Sequence, residues 1–422
     1  MSVATPEAQA TLERELVRRG IICDPYLEGR PRFGASPLVF SATQLDRMCE
    51  VAESVAAVYD EVARLCRTHP ELTREFFELT PCQKIMWQMS CPMWHGVARA
   101  DVFETTTGLK ITELNSDTPT GQAEAVELGR LGRAMHPELL DPNAGLGDAF
   151  MDLVCGLAER ALGDGFPRTA GIVFPTDLTE DLPLVRLYQE WLAARGFAVV
   201  LGSPFNLKQG PDKSAYLFDR RVSVVLRHYK TDWWGERVPI WVGDAPFDDP
   251  LPLAGPLRIL AEAEASRKVV VVNPFGAVLT QNKRAMALMW EHIDELSPEA
   301  QATVRLYVPR TLRLESLHRS ELAAARDAWV IKSDYGAEGD EVIVGKYVTD
   351  AEWSEVLARA VPGRFVAQER FDEVLTDGRS INYGVYVVGG RAAGAYVRVQ
   401  PEGPTDKHAL SVPALLEKAG AA

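Results

Sequence analysis

Three features of this chain predict a mixed α/β fold. Ser41 to Thr68 carries apolar residues at helical spacing, with Leu45, Met48, Cys49, Ala52, Val55, Ala56, Tyr59, Val62 and Ala63 forming one stripe. From Thr169 the period shortens. The apolar run Ala170–Phe174, a helical stretch Leu182–Arg195 stopped by Gly196, and a second apolar run Phe197–Leu201 make a β-α-β unit. Short strands joined by glycine turns, at Arg99–Gly121 and again between Trp329 and Val399, have the pattern of antiparallel hairpins.

Taken in order, residues 5–20 predict a helix, and Cys23 to Pro37 a loop rich in Pro and Gly. The long helix that follows has Ser41 or Thr43 as its cap. A further helical stretch, Leu72–Leu79, ends before Pro81. This first helical region carries no recognisable chemistry. Helices are expected over Gln122–Met135 and Asp148–Leu162, the second closed by Gly163 and Gly165. Ala215–Phe218 and Val222–Arg227 suit the same sheet as the β-α-β unit. No Gly-x-Gly-x-x-Gly follows its first strand, which argues against a dinucleotide site. Pro239–Pro256 reads as a linker. Lys268–Phe275 is a strand, and a helix runs from Thr280 to about Glu295. Trp329–Lys332, Glu341–Val344, Arg364–Glu369, Asn382–Val388 and Ala393–Val399 complete one antiparallel sheet.

The chemistry concentrates in the hairpin Arg99–Gly121. Alternate strand residues share a face, so Arg99 and Asp101 point one way, as do Glu113 and Asn115. A turn near Thr107 sets Asp101 opposite Glu113 and Arg99 opposite Asn115. Two carboxylates and a carboxamide held so close repel without a cation, and hard oxygen donors suit Mg²⁺ that also holds phosphates. The alternative is a plain solvated face. Downstream, Lys332-Ser-Asp-Tyr-Gly336-Ala-Glu-Gly339 is a glycine-rich turn beside a strand lysine. Its N–H groups can close over phosphate oxygens, though it is not a P-loop. Lys283 opens a helix, where an anion would meet both its ammonium and the helix N-terminus. Arg398 is a charge within an apolar strand and needs an anionic partner. Nucleophilic catalysis finds no support: Gly-x-Ser-x-Gly is absent, and His95, His136 and His228 have no obvious partner. Trp233-Trp234 and the run Met86–Trp94 read as packing.

Composition excludes several classes. The net charge of −14 argues against nucleic acid or an anionic membrane surface as partner. No apolar run reaches the roughly 18–20 residues of a membrane span, and the N-terminus lacks a signal-peptide pattern. Six cysteines without a CxxC pair read as reduced thiols, which predicts a cytoplasmic protein.

The segment Glu113-Leu-Asn115-Ser-Asp-Thr-Pro-Thr-Gly-Gln-Ala-Glu-Ala resembles the metal-binding strand of ATP-grasp enzymes, in the form found in glutathionylspermidine synthase-like proteins. Here that strand comes early and the glycine-rich segment late, which is similar to the circularly permuted branch of the fold. The resemblance runs from about Pro81 to the C-terminus. It implies a metal-binding hairpin with its helices over 81–165, after the N-terminal helical region that the residues themselves predict over 1–80. It further implies a Rossmann-like pre-ATP-grasp module over 166–275 and a nucleotide-binding part over 276–422.

By the same resemblance, ATP and Mg²⁺ are the cofactors, with Asp101, Glu113 and Asn115 as metal ligands. Lys283, Lys332, Gly336 and Gly339 hold the nucleotide phosphates, and Gln368 and Glu369 lie by the adenine. Arg99 and Arg398 act on the transferred phosphoryl group or the substrate carboxylate. The implied activity is ATP-dependent joining of a carboxylate to an amine through an acyl phosphate, on small-molecule carboxylate and amine substrates for which a peptide and a polyamine are candidates. The N-terminal thiol amidase of bifunctional relatives has no counterpart here, so no amidase activity is expected. Two alternatives stay open: a nucleotide-binding scaffold or regulator without turnover, and a ligase acting on a peptide or protein.

Overall fold

Ser41 caps the long helix Ala42–Thr68 by accepting a hydrogen bond from the Gln44 N–H, and its apolar stripe is buried from Met48 to Cys66. The structure, a computed structural model, describes residues 5–90, 92–336, 341–403 and 405–418. The helix lies under a five-stranded antiparallel sheet. Its strands run in the order Leu410–Val412, Arg391–Pro401, Arg379–Val388, Ala98–Thr105 and Gly108–Asn115. Val55, Tyr59 and Val62 of the helix share one core with Ala100, Val102, Leu114, Val385 and Val397 of the sheet. Burying that face stabilises both elements and leaves the opposite face for polar residues.

The single antiparallel sheet expected between Trp329 and Val399 is in fact two. Thr311–Arg313, Phe365–Glu369, Trp329–Ser333 and Val342–Val344 form a separate four-stranded sheet. Arg379–Val388 pairs instead with the early hairpin, Gly384 facing Asp101 and Tyr386 facing Arg99. That long-range pairing leaves no local trace in sequence.

A third sheet is wholly parallel. Val270–Val272, Val224–Arg227, Thr169–Val173 and Ala198–Gly202 lie in that order, with helix Leu182–Ala194 as the crossover. Ala215–Leu217 does not join it. Only Phe218 and Asp219 separate it from Arg220–Val222, a hairpin-length turn too short for a parallel crossover, so the two pair antiparallel in a small sheet with Leu207–Gln209.

Other elements differ from expectation for local reasons. Pro81 starts a helix, Pro81–Met89, because proline is favoured at the first helical position and Thr80 with Gln83 forms a capping box. The helix expected from Thr280 is two pieces, Ala277–Thr280 and Arg284–Glu291, and helix Ala254–Ala265 begins inside the expected linker. Pro298–Tyr307 and Asp350–Arg359 are further helices, N-capped by Ser297 and Thr349. The first 80 residues are not only helical: Leu38–Phe40 pairs in parallel with Ala414–Leu416 and ties the two ends of the chain together. No helix among the described residues is long and apolar enough to cross a membrane.

Candidate active site

The polar face of the five-stranded sheet assembles the site. Arg99 faces Asn115 and Asp101 faces Glu113. A β-bulge sets this register: Val102 faces Ile111, so Thr112 is the extra residue. The bulge leaves the Thr112 carbonyl to accept from Lys332 Nζ at 3.2 Å. Gly384 lies opposite Asp101, and a Cβ there would come within 2.8 Å of Arg99 Cδ, so glycine makes room for the arginine. The Arg99 guanidinium grips Asp101 with two bonds, Nε to Oδ1 at 2.8 Å and Nη2 to Oδ2 at 3.2 Å, and its Nη1 donates to the Thr120 carbonyl. Arg398 reaches Asp101 Oδ2 at 2.9 Å and Asn382 Oδ1 at 3.1 Å, while its buried Nε has no partner.

The four-stranded sheet faces this array. Lys332 Nζ donates to Gln368 Oε1 at 2.8 Å, and Gln368 Nε2 donates to Thr311 Oγ1. Lys283 Nζ lies 3.3 Å from Glu113 Oε2 and donates to the Gly336 carbonyl at 2.6 Å. Asn115 Nδ2 donates to Glu113 Oε1. Burial alone would raise the Glu113 pKa, but Lys283, Lys332 and Arg99 outweigh it and hold the carboxyl at about 2. Burial dominates at Lys332 and brings it down to about 8, against the pull of Glu113. Glu369 pairs with Arg310 at 3.3 Å. Gly339 lies outside the described residues.

Asp101, Glu113, Asn115, Arg99, Arg398, Lys283, Lys332 and Gln368 therefore meet across the two sheets. All but Lys283 line a cavity of about 1160 Å³, which Gly336 and Glu369 also line. Arg398 comes to it from the five-stranded sheet and not from the sheet of Lys332. Four cations surround the two carboxylates, an excess of two positive charges, and this favours a polyanion.

Several wall residues carried no sequence signal. Buried Asp117 accepts from Arg227, from the Thr231 N–H at 2.7 Å and from the Thr231 hydroxyl at 3.0 Å, which anchors the chain just past Asn115. Asn273 Nδ2 donates to the carbonyls of Ser116 and Asp117. His228 does have a carboxylate partner, Asp181 at 2.9 Å, although 47 residues separate them. Trp234 packs against Phe275 as expected, but Trp233 lines the cavity. Cys23, Tyr26 and Arg32 line it too, so the N-terminal region contributes to the wall.

The donor set fits a hard cation. Among the described residues no group of three or more His, Cys, Asp and Glu could hold a metal ion. An Mg²⁺ here would rest on two carboxylates, one carboxamide and the oxygens of a bound phosphate, the mixed shell that Mg²⁺ commonly takes.

The chain superimposes on a glutathione synthetase-like effector from Globodera pallida, solved in the apo form, with a TM-score of 0.59 at 11% identity over 97% of this chain and 96% of that one. This is a mixed α/β, ATP-grasp-like architecture. A family model described as glutathionylspermidine synthase preATP-grasp matches residues 253–417. The match spans Lys283, Lys332, Gln368 and Arg398 but not the hairpin. A provisionally named gamma-glutamylcysteine synthetase from Methylobacillus flagellatus KT matches at 14% identity, over 90% of this chain and 87% of that one, with a TM-score of 0.43. No curated protein matches the chain.

Proposed function

We propose that this chain is an ATP-dependent carboxylate–amine ligase. The observation that carries the proposal is the surplus of buried positive charge around Asp101, Glu113 and Asn115, where two sheets face across one cavity. In this reading the early hairpin and the late lysine-bearing strands belong to one ATP-grasp fold in circularly permuted order.

Asp101, Glu113 and Asn115 would hold Mg²⁺, which when bound neutralises phosphate charge. Lys283 and Lys332 hold the phosphate oxygens as point charges, and Gln368 and Glu369 border the adenine slot. A substrate carboxylate oxygen attacks the γ-phosphorus and ADP leaves with the bonding pair, giving an acyl phosphate. Arg99 and Arg398 stabilise the charge on the transferred group, and Asp101 keeps both guanidinium groups in place. An amine nitrogen then attacks the carbonyl carbon and phosphate departs. Positioning and charge stabilisation supply the catalysis, with no protein nucleophile.

The test is ADP release that requires Mg²⁺, a carboxylate and an amine together. Asp101→Ala and Glu113→Ala are expected to lower it at least 100-fold with unchanged circular dichroism. Wild-type rates in both variants would remove the site.

A further inference from the structure

We infer that Asp232 is the proton acceptor for the amine, taking a proton from the incoming ammonium so that neutral nitrogen can attack the acyl phosphate. This rests on the ligase reading above and gives a role to a carboxylate outside the Asp101–Glu113–Asn115 set. Amines are protonated at neutral pH, and an ammonium has no lone pair to attack with, so the second half of the reaction needs such a group.

Geometry singles out Asp232. Among the described residues it is the carboxylate lining the cavity that has no hydrogen bond or ion pair with another residue. Its place is fixed from behind, because the preceding Thr231 is bound to Asp117 through both N–H and hydroxyl. Asp117 lies two residues past Asn115, and Asp334, the other carboxylate beside it, lies two residues past Lys332. Asp232 thus stands by the ends of the two strands that carry the phosphate-binding groups, next to where an acyl phosphate would be presented.

The groups that face it are Lys230 and Tyr229 from its own segment, Asp117 from the end of the hairpin, Asp334 and Tyr335 from the turn after Trp329–Ser333, and Arg364. Burial raises the carboxyl pKa most. Lys230 opposes it, Asp117 and Asp334 push further, and the group is left at about 7. A base poised near neutrality both accepts a proton and releases it. His228 and Asp181, also in the wall, are already committed to each other at 2.9 Å.

The step balances without a further reactant. The ammonium gives one proton to the Asp232 carboxylate. The neutral amine forms the C–N bond as the C–O bond to phosphate breaks, and phosphate leaves with the bonding pair and the second N–H proton. Asp232 then returns its proton to water.

The experiment compares two amine probes on the full-length protein, with ATP, Mg²⁺ and a panel of α-amino acids and glutathione as carboxylates. Hydroxylamine is largely neutral at neutral pH and needs no base; spermidine is an ammonium. For Asp232→Asn, spermidine amide formation is expected to fall on the order of 100-fold or more while hydroxamate formation falls only a few fold. Asp232→Glu should restore part of the amide. The acidic limb of the wild-type rate near pH 7 should vanish in Asp232→Asn. Equal rates with both probes, an equal loss with both, or the same split from His228→Asn instead would overturn the role. Wild-type protein that makes neither product would remove the ligase reading itself, a result distinct from these.

Discussion

Burial turns Lys332 into a weak base. Its ammonium donates to Gln368 and to the bulge carbonyl of Thr112, yet desolvation brings its pKa to about 8. Its folded-state pKa lies below the usual 10.5, so the charged form is present below pH 8 and lost above it. Nucleotide affinity measured by calorimetry should therefore weaken between pH 7 and 9, by up to about tenfold per pH unit once past 8. In Lys332→Arg that fall should disappear from the range. Asp232 is shifted the other way. Its folded-state pKa of about 7 exceeds the ordinary 3.8, so the folded state holds its full advantage below pH 4 and loses it as pH rises through 7. Asp232→Asn should raise the melting temperature at pH 8, and the gain should shrink toward pH 4. Residue alternation was enough to group Arg99 with Asp101 and Glu113 with Asn115, and the bulge at Thr112 then brings the two pairs together. Alternation could not show that Arg398 shares Asp101 with Arg99, because that contact spans 297 residues. Asp117, Arg227 and Asp181 were hidden for the same reason.

At the scale of elements, the hairpin works because of two details that its own sequence does not announce. The extra residue Thr112 brings Glu113 opposite Asp101, and Gly384 on the neighbouring strand leaves space for Arg99. Gly384→Val should force the Arg99 side chain aside and lower ADP release at least tenfold, with circular dichroism unchanged; wild-type turnover would contradict the account of that glycine. Phe40 is fully buried and packs 5.8 Å from Tyr383 of the site-bearing sheet. Phe40→Ala should cost about 3–5 kcal/mol in urea unfolding. Helical spacing made the helix under that sheet readable, and the β-α-β unit was readable from its change of period. The helix that Pro81 begins was not legible, because a proline that follows one helix also suits the first turn of the next. Ala215–Leu217 was misplaced because a three-residue strand reads alike in parallel and antiparallel company.

For the whole molecule, what matters is that two antiparallel sheets face one another, the early hairpin in one and the late lysine-bearing strand in the other. Local patterns predicted the strands but merged the sheets, since partner choice is set by tertiary packing and not by strand propensity. The cavity between the sheets admits N-terminal residues such as Tyr26 and Arg32, a contribution that no motif in the first 80 residues suggests. The central claim is that this cavity is a nucleotide site organised by Glu113, and thermal unfolding with ATP and Mg²⁺ tests it most directly. A ligand that binds only the folded chain must raise its melting temperature. The account predicts a rise of several degrees with ATP that requires Mg²⁺, is smaller with other nucleoside triphosphates and is absent in Glu113→Ala. No shift with any nucleotide, or an equal shift in the variant, would contradict it.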